Sequence, residues 1–593
     1  MAQRAFSTHP LVVRRVQVRR VTDVTPRMRR VTIGGEQLAA FDRGAWRHPA
    51  FAAPGFDDHV KLIFASDGDV TAALPEQVEH GIEWGPSQTR EGRDYTPRAV
   101  RVDDDGAVEV DLDFVLHGDG PAASWAMRAA VGDDLWFVGP KSSTILPDDV
   151  SRIVLVGDET ALPAIGRFLD ERPIEVPATI AVMIGDPSAR QQLAVRAEDT
   201  LEWIEADATD AGALDDIVRR ACGDDGTGLY AWLAGESRAL LPARRFLSRE
   251  LGLPKAHINV TGYWHAEPQT VADGGAASDA ELPPVVSPLV WLTVRAALQT
   301  GIVDAVADAP GLSATDVAAR CALARRDLDL LLGTLVTHGV LRGDPAELHL
   351  GALGEELIAD EHEREEYDGL EADRLLALAS FAPAVRTGTS PWAEYHGTTL
   401  DDWARSDPAR YDELVHEAGA LAYLLDGLMA DPVWDAARSV RLTGPGAVLV
   451  ADALTASERN PRVDIWESAT ALAALRSEAD DLTEISWIER DSGAGASVDL
   501  AVAARALAHR TDTEASVLLA ELAGVTRVAV VIEDSRPDGL NPHADEEALH
   551  VFAATGSPPR DADAIGALAG AAGWRVSRVV PLGWGVEATV LER

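Results

Sequence analysis

Cysteine is nearly absent from this chain of 593 residues: only Cys222 and Cys321 occur, far apart in sequence. That spacing excludes a disulfide framework and a cysteine-based metal site. Long apolar runs are missing too. No segment approaches the ~20 consecutive apolar residues of a membrane span. The opening Met1-Ala2-Gln3-Arg4-Ala5-Phe6 has no apolar core of a secretory signal, so a cytoplasmic location is expected. Positive charge is the third shortage: 53 Lys and Arg stand against 96 Asp and Glu, a formal net charge of −43 at pH 7. So acidic a surface repels nucleic acid and anionic lipid alike.

The length accommodates about three to five domains. In the first part, Val12, Val16, Val18, Val21 and Val24, then Met28, Val31 and Ile33, alternate as two strands with a turn near Asp23 and Pro26. Apolar runs at 60–64, 99–102, 108–114 and 135–138 continue the series and predict an antiparallel β-barrel over residues 1–145. Residues 67–92 are long and polar and read as a loop that crosses or borders a site. Between Arg14 and Arg30, seven arginines fall with a single acid, Asp23, a local exception to the acidic balance.

Two stretches here carry chemistry. Arg93-Asp94-Tyr95-Thr96-Pro97-Arg98 packs two guanidinium groups, a phenol and a hydroxyl into six residues. An arginine fork can grip a pyrophosphate, a tyrosine can lie against a planar ring and a threonine hydroxyl can bond to the ring's edge, which is the equipment of a flavin site. A surface strand with ordinary arginines has the same composition. The second stretch is His117-Gly118-Asp119-Gly120-Pro121-Ala122-Ala123-Ser124-Trp125-Ala126. Its glycines let backbone approach a ligand, and small residues opening a helix present free N–H groups to a phosphate. A plain strand-to-helix turn would look similar.

Over residues 146–265, apolar runs at 153–156, 179–184, 230–234 and 258–261 alternate with helical stretches at 161–169 and 211–222. This predicts a parallel α/β sheet buried on both faces. Residues 157–163 follow the first run and open a helix, where a nucleotide diphosphate would sit, and Ala234-Gly235-Glu236-Ser237 follows a later run in the same way.

Together with Asp58-His59-Val60-Lys61-Leu62, Gly157-Asp158-Glu159-Thr160-Ala161-Leu162-Pro163-Ala164 and Gly262-Tyr263-Trp264, these stretches resemble the siderophore-interacting protein family. Its members are ferredoxin-reductase-like flavoproteins that reduce ferric siderophores with NAD(P)H. The resemblance covers residues 10 to about 265. It implies FAD in the barrel, with Arg93, Tyr95 and Thr96 on the pyrophosphate and isoalloxazine, and His117, Gly120, Ala122, Ala123 and Ser124 towards the phosphates and adenine. It further implies an NADH or NADPH site at Gly157, Asp158, Glu159, Thr160 and Ala161, with Tyr263 and Trp264 beside it. The choice of nicotinamide stays open: no arginine directly follows Gly185-Asp186-Pro187, and Arg190 and Arg196 are the nearest. The implied partner is a ferric siderophore held by Lys61, Lys141 and His265. Electrons pass through FAD, so no side chain is assigned as catalytic and no resident metal is required. Lys141 and His265 stand where the family commonly has arginines, which weakens permanent positive charge.

Residues 266–285 read as a linker. Beyond it come helical spacing at 289–306, a second helix capped by Ser313 with Asp316, a third at 325–338, and a β-wing at 340–350. The third helix is rich in leucine with only two arginines, which argues against DNA binding. Helices at 400–403 and 409–429 complete residues 286–432, and a second βαβ series at 440–442, 463–466, 500–503 and 528–532 spans 433–593. Winged helix, helical segment and α/β domain in this order resemble the small-molecule O-methyltransferases, which use S-adenosylmethionine and form homodimers through the winged helix. The cofactor turn departs from that family: an acidic residue and a glycine run are replaced by Arg441-Leu442-Thr443-Gly444-Pro445-Gly446-Ala447, which argues against S-adenosylmethionine. Glu467 remains able to hold a ribose, while His509, at the place of the plant-type catalytic base, reads as an ordinary surface or helix histidine.

The whole is a multidomain protein: antiparallel β-barrel FAD domain, α/β NAD(P)-binding domain, winged helix, and Rossmann-like methyltransferase-type domain. The leading expectation is a ferric-siderophore reductase. The C-terminal half reads as a methyltransferase-like domain that has lost its chemistry and dimerises or helps hold a siderophore or partner; a bifunctional reductase and methyltransferase, or a flavoprotein that binds ferric siderophore without turnover, are the alternatives.

Overall fold

The computed structural model describes residues 5–593 apart from 86, 88, 103–106, 117–119, 267–287, 458, 460, 480–481, 483–484, 491–495, 538 and 540–543. Most of the expected linker and the position of His117 therefore lie outside the described residues. Two compact units form, and they do not follow chain order: residues 1–145, 166–173 and 374–593 make the first, residues 146–165 and 174–373 the second.

The first unit holds two seven-stranded sheets. In the N-terminal one the order is Pro97–Val102, Val108–Val115, Met28–Gly34, Val13–Thr25, Asp134–Val138, Val60–Ala65 and Arg90–Tyr95, antiparallel at every pairing. Its two edge strands are consecutive in the chain with only Thr96 between them, so the sheet must curl until its edges share that residue. Period-two patterning sends Val16, Val18, Val31, Ile33, Leu62, Phe64, Val110, Leu112 and Phe114 to one interior, closed by Ala122, Trp125 and Ala126 of the helix Pro121–Arg128. The arginine-rich stretch is absorbed by this sheet. Arg30 forks onto Asp113 at 2.6 and 2.7 Å, Arg15 meets Asp134, Arg20 meets Glu109, and the buried Arg14 donates to the Pro49 carbonyl. Residues 67–92 are not one loop: they contain the helix Val70–Ala73, the pair Glu76–Gln77 with Ile82–Glu83, and the start of the strand Arg90–Tyr95. That strand escapes sequence patterning because most of its residues are partly or fully exposed and none is a regular apolar inward residue.

The C-terminal sheet runs Ser486–Glu489, Arg462–Glu467, Ser439–Thr443, Leu500–Ala504, Val528–Asp534, Val586–Glu592 and Arg575–Gly583. The first five strands are parallel and the last two antiparallel. Ser439–Thr443 and Leu500–Ala504 are buried throughout, as central parallel strands covered on both faces must be. The helix Asp512–Ala523 starts on a complete capping box, Thr511 with Glu514.

In the second unit a five-stranded parallel sheet is ordered Thr200–Glu205, Ala178–Ile184, Arg152–Gly157, Leu229–Glu236 and Ile258–Trp264. The helices Leu289–Gln299, Ile302–Asp308, Ala314–Arg320 and Arg325–Thr337 and the hairpin Leu341–Asp344 with Glu347–Leu350 enclose a separate core. The 289–306 segment breaks into two helices at Gly301, whose φ of 74° is left-handed. Arg325 and Arg326 pair with Asp329 and Asp327, leaving little positive charge on that helix. Both cysteines are free. Among the described residues no single helix is long and apolar enough to cross a membrane.

Candidate functional site

The two flavin-type stretches meet through a chain of rings. Tyr95 lies 4.5 Å from Phe114, Phe114 lies 5.6 Å from Trp125, and Trp125 belongs to the helix Pro121–Arg128. The hexapeptide thereby faces the helix that carries Ala122, Ala123 and Ser124. Gly120 precedes this helix with open space where a side chain would be, and Pro121 fills the first-turn position that lacks an N–H partner anyway. Thr96 is buried at the strand switch, and burial pushes the Tyr95 phenol pKa upward. Arg93 is exposed, its guanidinium donating to the neighbouring Gly92 carbonyl at 2.7 Å. Arg98 is committed elsewhere: it binds Asp170 at 2.7 Å, and a Cβ at Gly166 would lie 2.8 Å from its Nε. One guanidinium of the pair therefore serves packing, and Arg93 is the one that can grip a phosphate. A rim of exposed arginine, an aromatic face and the unfilled first turn of a helix fit a flavin dinucleotide.

Lys61 and Lys141 converge on Asp94. Cross-strand register sets Lys61 opposite Asp94, and the ammonium reaches the carboxylate at 2.9 Å. Burial pushes the Lys141 pKa down, with Asp94 acting against that shift and Lys61 adding to it. Sequence reasoning passed over a simple signal here: lysine occurs only at positions 61, 141 and 255 in the whole chain, and two of the three are neighbours. Beside them runs a relay that patterning also missed. His9 Nε2 is 2.7 Å from Ser143 Oγ, and Ser143 Oγ donates to Asp58 Oδ2 at 2.7 Å. Burial raises the Asp58 carboxyl to about 7. His265 belongs to the second unit, where its Nε2 is 3.3 Å from Ser237 Oγ.

In that unit the candidate nucleotide turns sit at the carboxyl ends of the adjacent strands Arg152–Gly157 and Leu229–Glu236, where the strand order reverses. Gly157 has no room for a side chain, since a Cβ would lie 2.3 Å from the Ala234 carbonyl. The two carboxylates that look hostile to a phosphate are turned to the protein. Asp158 accepts from Thr160 N at 2.8 Å and from Trp264 Nε1 at 2.7 Å, and Glu159 accepts from Gly185 N at 3.0 Å. Their charge is thus spent on the turn, which removes that objection to a nicotinamide dinucleotide. Ala161 is buried behind the same turn, and Tyr263 stands edge-on to Trp232 at 6.3 Å. Arg190 and Arg196 pair with Glu205 and Glu175.

The turn at 441–447, where the O-methyltransferase resemblance would put S-adenosylmethionine, is filled by the protein's own groups. Glu467, fully buried, accepts from Thr443 Oγ1 at 2.7 Å and Gly444 N at 3.0 Å, so it is bound to the very turn that would cradle the cofactor. Residues 443–447 are all buried, and a Cβ at Gly446 would lie 3.0 Å from a Leu421 methyl carbon. Arg441 fills the strand before this turn and is paired with Asp464 at 2.6 Å. His509 is not a surface histidine: it is buried, with Nε2 3.3 Å from Asp401 and Arg510 beside it, 3.0 Å from the same oxygen. Burial and then Arg510 push the His509 pKa down. Burial by itself would raise the Asp401 carboxyl, but Arg510, His509 and Arg405 hold it well below the usual range.

The sequence model of the siderophore-interacting FAD-binding domain matches residues 17–144, and that of the siderophore-interacting protein matches residues 150–267. The NADPH-dependent ferric-chelate reductase of Escherichia coli (strain K12) is 30% identical over 259 residues, which are 43% of this chain and 93% of that protein. The ferric vibriobactin reductase ViuB of Vibrio cholerae is 25% identical over 244 residues, 41% of this chain and 85% of that protein. Among solved structures, a siderophore utilization protein from T. fusca shares 31% identity, covers 45% of this chain and 97% of its own, and gives a TM-score of 0.39. The O-methyltransferase NcsB1 from neocarzinostatin biosynthesis shares 22% identity, covers 53% of this chain and 99% of its own, and gives a TM-score of 0.42. Through residues 17–267 the chain belongs to the siderophore-interacting protein family.

Proposed function

We propose that this protein is an FAD-containing, NAD(P)H-dependent reductase of ferric siderophores that releases Fe(II) for use in the cytoplasm. The observation that carries it is the meeting of Arg93, Tyr95 and Thr96 with the helix Pro121–Arg128 at one edge of the sheet, beside Lys61 on the adjoining strand and Lys141 in the connection that follows Val138. Bound FAD would take a hydride from the nicotinamide and pass electrons singly to ferric iron, a conversion no side chain can make. Arg93 would hold the pyrophosphate, Tyr95 and Thr96 would orient the ring, and the first turn of the helix after Gly120, with Ser124, would receive a phosphate. His117 would join them. Gly157, Thr160 and Ala161, backed by Tyr263 and Trp264, would admit the nicotinamide dinucleotide. The name of one relative, the NADPH-dependent ferric-chelate reductase, favours NADPH. Lys61 and Lys141 would attract an anionic ferric complex. Once Fe(III) becomes Fe(II), its hard oxygen donors hold it less firmly.

On this reading residues 1–145 are the FAD barrel, 146–265 the nicotinamide domain, 266–285 a linker, 286–432 a winged-helix and helical dimerisation region, and 433–593 a methyltransferase-like domain without methyl transfer. Exposed Leu289, Leu292 and Leu330 support a homodimer through the third of these folded parts, and a monomer mass by light scattering would remove that element.

One preparation tests the reading. The purified chain should be yellow, its flavin should bleach on titration with NADPH or NADH, and colour should return when a ferric siderophore is added. Colourless protein that takes up no FAD would sink the proposal, and bleaching with no recovery would favour binding without turnover. Calorimetry with S-adenosylmethionine should give no binding heat; saturable heat would revive a bifunctional enzyme.

A further inference from the structure

Within the first compact unit, the C-terminal half of the chain is built onto the lysine end of the N-terminal sheet. The fit is close. A Cβ at Gly81 would lie 2.3 Å from the Leu582 carbonyl, and one at Gly427 would lie 2.1 Å from His80 Cβ. The tip of the hairpin formed by Arg575–Gly583 and Val586–Glu592 supplies Trp584, held at a left-handed φ of 54°. Its N–H donates to the Ile82 carbonyl at 3.1 Å, and its ring packs on a cluster containing Leu11, Val13 and Trp84. Glu83 is buried, and a buried carboxylate needs partners. Two of its partners come from the far end of the chain: Gly585 N at 3.0 Å and Arg536 at 3.1 Å. So built a contact positions side chains as firmly as a domain interior does.

What this contact places at the lysines is an aromatic ring and a carboxylate. Tyr423 lies with its ring centroid 4.8 Å from the Lys141 ammonium, stacked on its own account against Phe6 at 5.2 Å. Asp426 accepts from Thr8 Oγ1 at 2.9 Å, next to His9. Lys61 is tied to Asp94, whereas Lys141 makes no ion pair among the described residues and rests on the Tyr423 ring instead. A lysine is a point charge on a flexible stem, and an aromatic face can fix its direction without neutralising it.

We infer that the C-terminal half supplies one wall of the substrate site, and that Tyr423 is the positioning residue that holds the Lys141 ammonium ready for an anionic ferric complex. The inference rests on the reductase reading for the identity of the ligand. It assigns the methyltransferase-like half a task that needs no methyl donor: the site is incomplete without it. Tyr423 acts through Lys141 and does not touch the electron path.

The test uses the full chain loaded with FAD and the gallium(III) tris-catecholate trianion, which has the charge and shape of the ferric complex but cannot be reduced. Affinity is read by titration calorimetry, and KM and kcat are read separately with the iron(III) tris-catecholate. Lys141→Ala and Tyr423→Ala should each weaken gallium-complex binding about fivefold, and the double variant should lose little more than either single one. Tyr423→Phe should restore wild-type affinity, and the ferric KM should follow the gallium affinity. Tyr423→Leu keeps most of the bulk should the alanine variant fail to fold, and it should weaken binding as alanine does. Wild-type affinity in Tyr423→Leu, or a double variant whose loss is the product of the two singles, overturns the inference. Failure of the reductase reading looks different: the wild type binds the gallium complex, Tyr423 still controls that affinity, and the iron complex is never reduced.

Discussion

Asp94 is a group whose removal should strengthen substrate binding. Its carboxylate lies 2.9 Å from Lys61 Nζ, with side-chain exposures of 49% and 35%, so the pair is only partly desolvated. Such an exposed pair is worth about 0–1 kcal/mol, and that is the most Lys61 gives up when it turns to a ligand. Asp94 also repels the ligand. At about 6 Å from a trianion in water the repulsion is about 2 kcal/mol, and a Debye length of about 8 Å at physiological ionic strength cuts it to about 1 kcal/mol. Asp94→Asn keeps the shape and removes both effects, so affinity for the gallium tris-catecholate should rise about 5- to 30-fold, more at low ionic strength than at physiological. The assay is calorimetric affinity at the two ionic strengths, with the KM of the ferric complex alongside. If Asp94→Asn binds no more tightly than wild type at low ionic strength, the two lysines are not the anion site.

Further outcomes can be checked independently. Arg93→Ala removes one charge-assisted bond of about 1.5–3 kcal/mol from FAD, so its flavin affinity should fall about 10- to 100-fold, and unchanged flavin content after gel filtration would refute the phosphate role. Asp58 has a folded pKa of about 7 against the ordinary 3.8, so the folded state keeps a proton that the unfolded chain has released. Local stability should therefore be greatest below pH 4 and fall as pH rises towards 7, by up to ~4 kcal/mol for this group, and then level off. In Asp58→Asn the amide oxygen can still accept from Gly55 N and Ser143 Oγ, so hydrogen exchange in the strand Val60–Ala65 should lose this pH dependence; the same dependence in both proteins would defeat the argument. Arg441→Leu leaves the Asp464 carboxylate buried without its partner, which should cost about 3–5 kcal/mol, read as faster exchange in the strand Ser439–Thr443. Replacing both residues by apolar ones should recover most of that loss, and wild-type exchange in the single variant would contradict it.

Much of the fold is legible in the chain because its signals are short-range. Val16, Val18, Val31 and Ile33 alternate because each strand has one wet face, and the all-apolar runs at 153–156 and 500–503 mark strands covered on both. Several edge strands escaped reading, and so did the interior strand Val586–Glu592. Thr200–Glu205, Ser486–Glu489 and Arg90–Tyr95 carry half-exposed, polar sequences, because an edge strand needs little apolar burial to be held by its neighbour. The flavin-type stretches were visible for a related reason: Gly120, Pro121 and the Arg93 to Thr96 segment encode their geometry in adjacent residues. The roles of individual charges were not visible. Arg98 and Arg93 look equivalent in sequence, and only Asp170 distinguishes them.

The sequence by itself determined most of the core strands and helices, the two nucleotide-type turns and the family of residues 17–267. Those depend on side-chain pattern and backbone freedom within a few residues. Only the tertiary structure decided which charges remain available and what lies over them: Asp158 and Glu159 turned inward, Glu467 bound to its own loop, Lys61 tied to Asp94, Lys141 set on Tyr423. Most of these pairings join positions on separate elements, tens of residues apart for Glu159, Glu467 and Lys61 and hundreds apart for Lys141. No local periodicity records them, because they are selected by close packing of finished elements.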